Sequence, residues 1–366
     1  MTLKKVLAMV LAFVMLLSLA ACGTKSNPQP SEAQQETGAA TTPVQTQGGD
    51  QTEEPSNDRA KSACYISNKA ISSDWDLLIW KGFQYLELEG WTVKCVEATD
   101  SAEWAEAIMA MGEAGYGMIF LRIDSMAQTF QEIAEEFHAL YPNTYVIYID
   151  SYLDNNLDYA TAVPCDPWEP SFISGYIAAK TSKTGLVGWI AHTDTVNMRR
   201  FQYGFEAGVK FADNGTQVVT AFTGDAFDTE AGYNTAVAMM ENYDVDVIQQ
   251  AANLSGLGII QACEERGVKC IGVDDWQGDE SEAVFWSTIK SMDHMVHTIA
   301  NMWYAGEDLP NRMSFNMASG NIPYDSRDLN NLPEDLRNEV LALCDGILDG
   351  SVDVFYGDYA EYYLGY

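Results

Sequence analysis

The residues of this chain that could do chemistry are concentrated where apolar runs end. The clearest case is CIGVDDWQ, Cys270 to Gln277, where a run of Ile and Val stops at two carboxylates, an indole and an amide. A carboxylate can accept two adjacent hydroxyl donors, and an indole can stack on flat or sugar rings. The stretch is therefore either a helix cap after a buried strand or part of a binding site at the carboxyl edge of a sheet.

The sequence lacks the motifs of the common catalytic centres. It contains no GxxxxGK[ST] phosphate loop, no dinucleotide fingerprint, no GxSxG elbow and no HExxH zinc motif. His294 and His297 are spaced to share a helix face and could hold a metal, but such pairs are more often surface polar groups. Asp274 and Asp275 could bind magnesium as in phosphohydrolases, but the sequence shows no phosphate-binding motif of the kind that such an enzyme needs. These observations favour a binding protein without metal or cofactor over an enzyme.

Alternating strand-like and helix-like segments must position these residues. From Lys61 onward, β-rich runs such as GMIFLRI and TYVIYID are separated by amphipathic stretches such as SAEWAEAIMAMGEAG. This order predicts parallel sheets covered by helices on both faces. The runs are too many for one small sheet, and PCDPWEP, Pro164 to Pro170, interrupts the rhythm. We therefore expect two α/β lobes with a cleft between them, walled by the carboxyl ends of the strands.

The N-terminal segment has the pattern of an export signal followed by a tether. A lysine pair precedes an apolar run that ends at Leu17, and Leu-Ala-Ala stands before Cys22, as in the lipobox of bacterial lipoproteins. The alternative, an uncleaved membrane anchor, needs a longer apolar run. The next segment is rich in Gln, Thr, Pro and Ser and cannot bury enough surface to fold. We predict a signal peptide over 1–21, lipidation of Cys22, a disordered tether over 22–60, and a body on the outer face of the cell membrane.

Charge and cysteine content limit the partners and the redox chemistry. The formal net charge of −33 disfavours nucleic acid and anionic membrane surfaces as partners. The chain has seven cysteines and no CxxC pair, so no zinc site is implied. Buried free thiols are expected, although a nearby pair could oxidise in an exported protein.

Four stretches of the chain follow one another in a characteristic order: PSFISGYIAAKTSKTGLVGWIA, RRFQYGFEAGVKFA, VDVIQQAANLSGLGIIQACEERGVKCIGVDDWQ and STIKSMD. In this order they resemble the basic membrane protein family, the lipoprotein substrate-binding proteins of ABC importers. The resemblance implies a type I periplasmic-binding-protein fold of two α/β lobes joined by crossover strands. It divides the body into an N-terminal lobe, 61–163 plus about 286–315, and a C-terminal lobe, 164–285 plus about 316–366.

The resemblance also assigns ligand-binding residues to the first lobe. DWDLLIWKG begins at Asp74 and lies where the family has an acidic loop and a SFNQSAWEG type of motif. Trp75 takes the place of a base-stacking aromatic, although an indole there can also pack on its own lobe. Asp76 replaces the usual Asn, and an ionised Asp accepts hydrogen bonds but donates none. Asn68 stands where the family often has Asp.

In the second lobe and at the crossover that follows it, the resemblance implies five further residues near the ligand. AANLSGLG matches a glycine-rich loop of the family, so Asn253 and Gly256 are expected beside the ligand, unless this is an ordinary strand–helix loop. Asp274 resembles the acceptor of sugar hydroxyl groups, with helix capping as the alternative. Lys290 matches a lysine of the family, with a solvent-exposed side chain as the alternative. Phe227 lies one alignment position from a second aromatic residue of the family, and it could supply a second stacking face for the ligand.

These features predict a lipid-anchored extracytoplasmic receptor for a nucleoside, with a purine nucleoside favoured. Its lobes close on the ligand, and an ABC permease and ATPase recognise the closed form. Two alternatives stay open. One is a sensory or regulatory ligand-binding lipoprotein without an importer, and the other is a sugar receptor without base recognition, because sugars also stack on indoles.

Overall fold

The computed structural model describes residues 59–71 and 74–355. The predicted signal peptide, Cys22, nearly all of the predicted tether and the side chain of Asp74 lie outside the described residues. Ten strands are defined in the described part, in chain order: β1 (Ser62–Ser67), β2 (Thr92–Glu97), β3 (Met118–Leu121), β4 (Tyr145–Ile149), β5 (Ala160–Val163), β6 (Leu186–Ala191), β7 (Gln217–Phe222), β8 (Val247–Ala251), β9 (Lys269–Asp274) and β10 (Val284–Ile289).

The strands form two five-stranded sheets, one in each lobe. The strand order is β2-β1-β3-β4-β5 in the first sheet and β10-β9-β8-β6-β7 in the second. Every strand pairing is parallel, with β3 at the centre of the first sheet and β8 at the centre of the second. The predicted two-lobed parallel α/β fold is thus confirmed.

Helices cover both faces of each sheet. In chain order the α-helices of the described residues are α1 (Asp74–Leu88), α2 (Trp104–Glu113), α3 (Asp124–Leu140), α4 (Trp168–Thr181), α5 (Val196–Phe211), α6 (Thr229–Asn242), α7 (Ser255–Arg266), α8 (Met292–Tyr304), α9 (Ser326–Leu329) and α10 (Glu334–Leu348). None of the helices in this part of the chain has the length and apolar character needed to cross a bilayer.

The helix α7 shows how the sequence sets these elements. Ile259, Ile260 and Cys263 recur at helical spacing and are buried against the second sheet. The helix ends at Gly267, whose φ of 69° is the left-handed conformation that glycine adopts without a steric penalty. Each large apolar side chain buried in this way contributes roughly 1.5–3 kcal/mol.

Alternation along the strands divides the first lobe into two cores. Ala63 and Tyr65 of β1 pack with α1 and α8, whereas Cys64 and Ile66 pack with α2 and α3. This is the period of two that a strand covered on both faces requires. The second lobe is built in the same way, with α4, α5 and α10 on one face and α6 and α7 on the other.

Three crossings join the lobes within the described residues. They follow Val163, Ile289 and Phe315, as judged from the cores in which the flanking elements are buried. Neighbouring crossings are bonded through the backbone: the N–H of Phe315 donates to the carbonyl of Pro164 at 2.7 Å. Such narrow connections are the usual hinge of a two-lobed protein. Because β10 pairs with β9, residues 286–289 lie in the second sheet, whereas the division drawn from the sequence gives them to the first lobe.

The cysteines of the described residues are free thiols. Cys95 is half-buried and the other five are buried: Cys64, Cys165, Cys263, Cys270 and Cys344. Burial raises the pKa of the Cys64 thiol to about 12, with a smaller contribution from Cys95 nearby. The Cys64 thiol is therefore protonated at neutral pH, and the five buried cysteines act as small apolar groups in the core.

Candidate ligand-binding cleft

A cavity of about 230 Å³ lies between the lobes. That volume greatly exceeds the space of a single water molecule, so the cavity can hold a small organic molecule. Its walls come from both lobes and from one crossing: Trp75, Arg122, Asp150, His192, Asn197, Met198, Phe201, Ala251, Asn253, Val273, Asp274 and Lys290. A larger cavity of about 510 Å³ is lined in part by Leu78, His294 and Tyr324. We take the interlobe cavity as the candidate site because polar residues from the strand ends of both sheets converge on it.

Strand ends supply three polar residues of this cavity by a common backbone device. Asp274 ends β9, Asp150 follows β4, and Asn253 follows β8 by two residues. All three have left-handed backbone conformations, with φ of 67°, 50° and 53°. Asp and Asn enter this region more readily than other residues that carry a side chain, and such residues are concentrated at functional sites. The chain thus stops each strand with a polar residue at the edge of the cleft.

The first-lobe wall is a stack of Trp75 and Arg122. The guanidinium carbon of Arg122 lies over the indole, 4.8 Å from the ring centroid. Its Nε donates to Oδ1 of Asp76 at 2.6 Å, and its Nη1 donates to Oδ1 of Asn68 at 3.0 Å. Asp76 is fully buried and is also 3.2 Å from Nζ of Lys69. Asp76 and Asn68 therefore hold the guanidinium of Arg122 in its position against the indole.

A buried ion pair lies where the second crossing meets the cleft. Nζ of Lys290 is 2.6 Å from Oδ2 of Asp150, and the two side chains are only 6% and 11% exposed. Burial alone would lower the pKa of Lys290, but the negative charges of Asp150 and Asp274 outweigh burial and raise the pKa. Lys290 is therefore charged at neutral pH, and its backbone N–H donates to the carbonyl of Asp274 at 3.0 Å.

The second-lobe wall adds apolar and neutral polar groups. Asn197, Met198 and Phe201 come from the first two turns of α5, and His192 follows β6. Burial lowers the pKa of His192, an effect that Asp225 partly opposes, so the imidazole is neutral at neutral pH. The wall can therefore offer an apolar contact at Met198 and hydrogen bonds at the amides and the imidazole, whereas Phe201 is only 2% exposed.

The structure brings together four of the residues that the sequence nominates. Trp75, Asn253, Asp274 and Lys290 all line the interlobe cavity. Their contact with a ligand stays a prediction.

Four other nominated residues are absent from the cavity lining within the described part of the chain. Asn68 and Asp76 bind Arg122, as described above. A Cβ on Gly256 would lie 2.2 Å from Oε1 of Gln250, so this glycine lets α7 pack closely on β8. Phe227 is 60% exposed, and Nζ of Lys69 lies 5.6 Å from its ring centroid.

Several residues of the cavity escape the sequence analysis. Arg122 and Asp150 directly follow the apolar strands β3 and β4, as Asp274 closes β9, and this repeated position is the signal that could have revealed them. His192 directly follows β6 and carries the same signal, whereas Asn197 and Phe201 carry none because only the packing of α5 beside β6 brings them to the cleft.

The histidine pair at 294 and 297 has another setting. Nε2 of His297 is 2.8 Å from a carboxylate oxygen of Glu89, and both histidine rings contact Tyr85. Among residues 59–71 and 74–355, no three His, Cys, Asp or Glu side chains are grouped so that they could hold a metal ion.

Sequence comparison finds relatives over much of the chain. Residues 71–340 match a family model, Bmp, described as ABC transporter substrate-binding protein PnrA-like. Basic membrane protein D of Borreliella burgdorferi is 36% identical over 138 residues, which cover 37% of this chain and 40% of that protein. Basic membrane protein A of the same species is 40% identical over 111 residues, covering 30% of this chain and 32% of that protein. The matched regions thus span well under half the length of these curated relatives.

Structure comparison supports the fold. A transcriptional activator of the comK gene from Bacillus halodurans superposes with a TM-score of 0.68 at 17% identity, over 80% of this chain and 98% of that one. A solute-binding protein of an ABC transporter system from Aeropyrum pernix K1 superposes with a TM-score of 0.64 at 21% identity, over 83% and 95%. At these identities the likeness extends to the two-lobed fold alone.

Proposed function

Because the chain belongs to the Bmp family of PnrA-like ABC transporter substrate-binding proteins, we propose that it is a receptor that binds a nucleoside, with a purine nucleoside favoured, in the interlobe cavity. The observation that carries the proposal is the pairing of Trp75 from the first lobe with Asp274 from the second across one cavity. An indole offers a stacking face for a base, and a carboxylate offers two acceptors for a vicinal diol.

Lobe closure is the proposed mechanism. The stacking face and the diol acceptor belong to different lobes, so a ligand gains both contacts only when the lobes are close together. A ligand shifts a conformational equilibrium by its difference in affinity for the two states, and these split contacts supply that difference. The three crossings provide the hinge. A permease and an ATPase would then distinguish the closed receptor from the open one, and no covalent bond changes.

We also propose that the receptor is held at the outer face of the cell membrane by a lipid on Cys22. This proposal rests on the sequence around Cys22, which has a charged start, a short apolar run and small residues before the cysteine. Mass spectrometry of the protein purified from membranes tests it. An acylated N-terminal cysteine is expected, and an intact Met1 or an unmodified cysteine would contradict it.

Isothermal titration calorimetry of the full-length protein tests the ligand class. The titrants are adenosine, guanosine, inosine, cytidine and uridine, with ribose and the free bases as fragments. We expect a purine nucleoside to bind more tightly than either of its fragments, because only the nucleoside contacts both lobes. Equal affinity for ribose and for every nucleoside would remove base stacking and favour a sugar receptor. Absence of binding to any nucleoside would refute the proposal.

A further inference from the structure

The cavity contains a cationic group with hydrogen-bond donors to spare. A guanidinium has five N–H donors. The hydrogen bonds of Arg122 within the described residues use Nε and one hydrogen of Nη1, which leaves Nη2 without an acceptor there. The side chain is only 11% exposed and lines the cavity. A ligand that fills the cavity would exclude water from these donors and would have to bring acceptors for them, because a desolvated donor without a partner is costly.

Arg122 is held in one orientation. Asp76 and Asn68 bind it from below, and the indole of Trp75 packs against its carbon centre. Its backbone N–H also donates to the carbonyl of Ile66 at 3.2 Å, which ties the residue to the neighbouring strand β1. A donor group that is fixed before the ligand arrives loses little entropy on binding and discriminates strongly between ligands.

The charges around the cavity favour an uncharged ligand. Arg122, Lys69 and Lys290 are positive, and they are matched by three carboxylates in the same set of contacts: Asp76, Asp150 and Asp274. His192 is neutral. The balance leaves no net positive charge to neutralise a phosphate group, so Arg122 is available to a neutral acceptor.

From these observations, and resting on the proposed function, we propose that Arg122 makes the receptor selective for nucleosides of 6-oxopurines. A base stacked on the indole of Trp75 beside the guanidinium would turn one edge toward Arg122. Guanine and hypoxanthine present two neighbouring acceptors, O6 and N7, which an Arg binds as a pair. Adenine places an amino donor where O6 would be, so that two donors would face each other. The ligand class is thus guanosine, inosine and their close analogues.

Inosine and adenosine form the test pair, because inosine has a carbonyl acceptor at position 6 of the base where adenosine has an amino donor. Calorimetry on the full-length protein is expected to give inosine about 5- to 150-fold tighter binding than adenosine. Arg122→Lys keeps a cation beside Asp76 but cannot form the fork, so the inosine-to-adenosine ratio should fall to near one while adenosine affinity changes little. Arg199→Lys alters an arginine paired with Asp194 at 2.6 Å outside the cavity, and should keep the ratio of the wild type.

Each outcome has a defined meaning. Equal affinity for inosine and adenosine, or a preference for adenosine, would overturn the role of Arg122 and leave the nucleoside receptor intact. An unchanged ratio in Arg122→Lys, with the thermal stability of the wild type, would overturn it as well. Guanosine monophosphate that binds more tightly than guanosine would assign Arg122 to a phosphate and contradict the charge balance. If no nucleoside binds, the proposed function itself fails and this inference falls with it.

Discussion

Replacing Asp274 by Asn removes a negative charge from the cavity with little change of shape. Asp274 ends β9 with a φ of 67°, and Asn is among the few residues that tolerate this conformation, so the backbone should stay as it is. A hydrogen bond to a charged group contributes about 1.5–3 kcal/mol, and the amide keeps one of the two acceptors. If the proposed nucleoside binds as described, the loss of one such bond should weaken its binding roughly 10- to 150-fold.

A comparison of ribonucleosides with 2′-deoxyribonucleosides isolates the diol contact. In calorimetry the wild type should bind the ribonucleoside more tightly than the 2′-deoxyribonucleoside, and Asp274→Asn should lose most of that difference in affinity. The change in this difference is the coupling energy between Asp274 and the 2′-hydroxyl group, as in a double-mutant cycle. Asp275→Asn is the matched control: this carboxylate is the next in the chain and accepts a hydrogen bond from the N–H of Trp276 at 2.8 Å. If Asp274→Asn discriminated as the wild type does, or if Asp275→Asn lost as much affinity, the assignment of the diol would be refuted.

Three further changes probe the cleft. Trp75→Leu should weaken nucleoside binding about 5- to 150-fold in calorimetry, because the stacking contact is lost. Trp276 is not in the lining of the interlobe cavity formed by the described residues, so Trp276→Leu should leave the affinity unchanged. Equal effects of the two changes would contradict stacking on Trp75. Because the pKa of His192 is lowered in the folded protein, folding stability should fall as pH drops below the ordinary histidine pKa of about 6.5, where only the unfolded chain binds the extra proton. Urea denaturation of His192→Asn should show a smaller loss of stability between about pH 7 and 5. The same pH dependence of stability in the variant and the wild type would refute this. Lys290→Met should destabilise the protein by about 3–5 kcal/mol in the same assay. Asp150→Asn added to it should restore part of that loss, because Asn removes the unpaired charge and also tolerates the φ of 50°; additive losses would show that the ion pair is not the cause.

Periodicity and turn residues predict the fold class and strands such as β3 and β4, which lie in the β-rich runs GMIFLRI and TYVIYID. The same pattern does not mark β10, which has the sequence VFWSTI and is buried along its whole length. Polar Ser and Thr inside a buried strand disguise it, because they bond within the core: Oγ1 of Thr288 lies 2.7 Å from Oγ of Ser174. Such partners come from distant elements, so local sequence does not reveal them.

The site was harder to predict because neighbouring residues have different roles. Trp75 and Asp76 are adjacent on α1, and successive residues of a helix point about 100° apart. The indole therefore lines the cavity while the carboxylate turns inward to Arg122. The sequence shows an aromatic and an acceptor at the right place, but only the fold shows that the acceptor serves a second residue, which itself follows a strand some forty-six positions later.

The division of the cleft between the lobes has a consequence for selectivity. Under the proposed function, Trp75 and Arg122 would meet the base from the first lobe, and Asp274 would meet the sugar from the second. A free base would satisfy the first lobe and a free pentose the second, and neither would give the closed state the contacts that the open state lacks. Weak ligands of either kind would therefore occupy the receptor without closing it. A transporter that recognises the closed form would reject them even at concentrations where they bind, so transport should be more selective than binding.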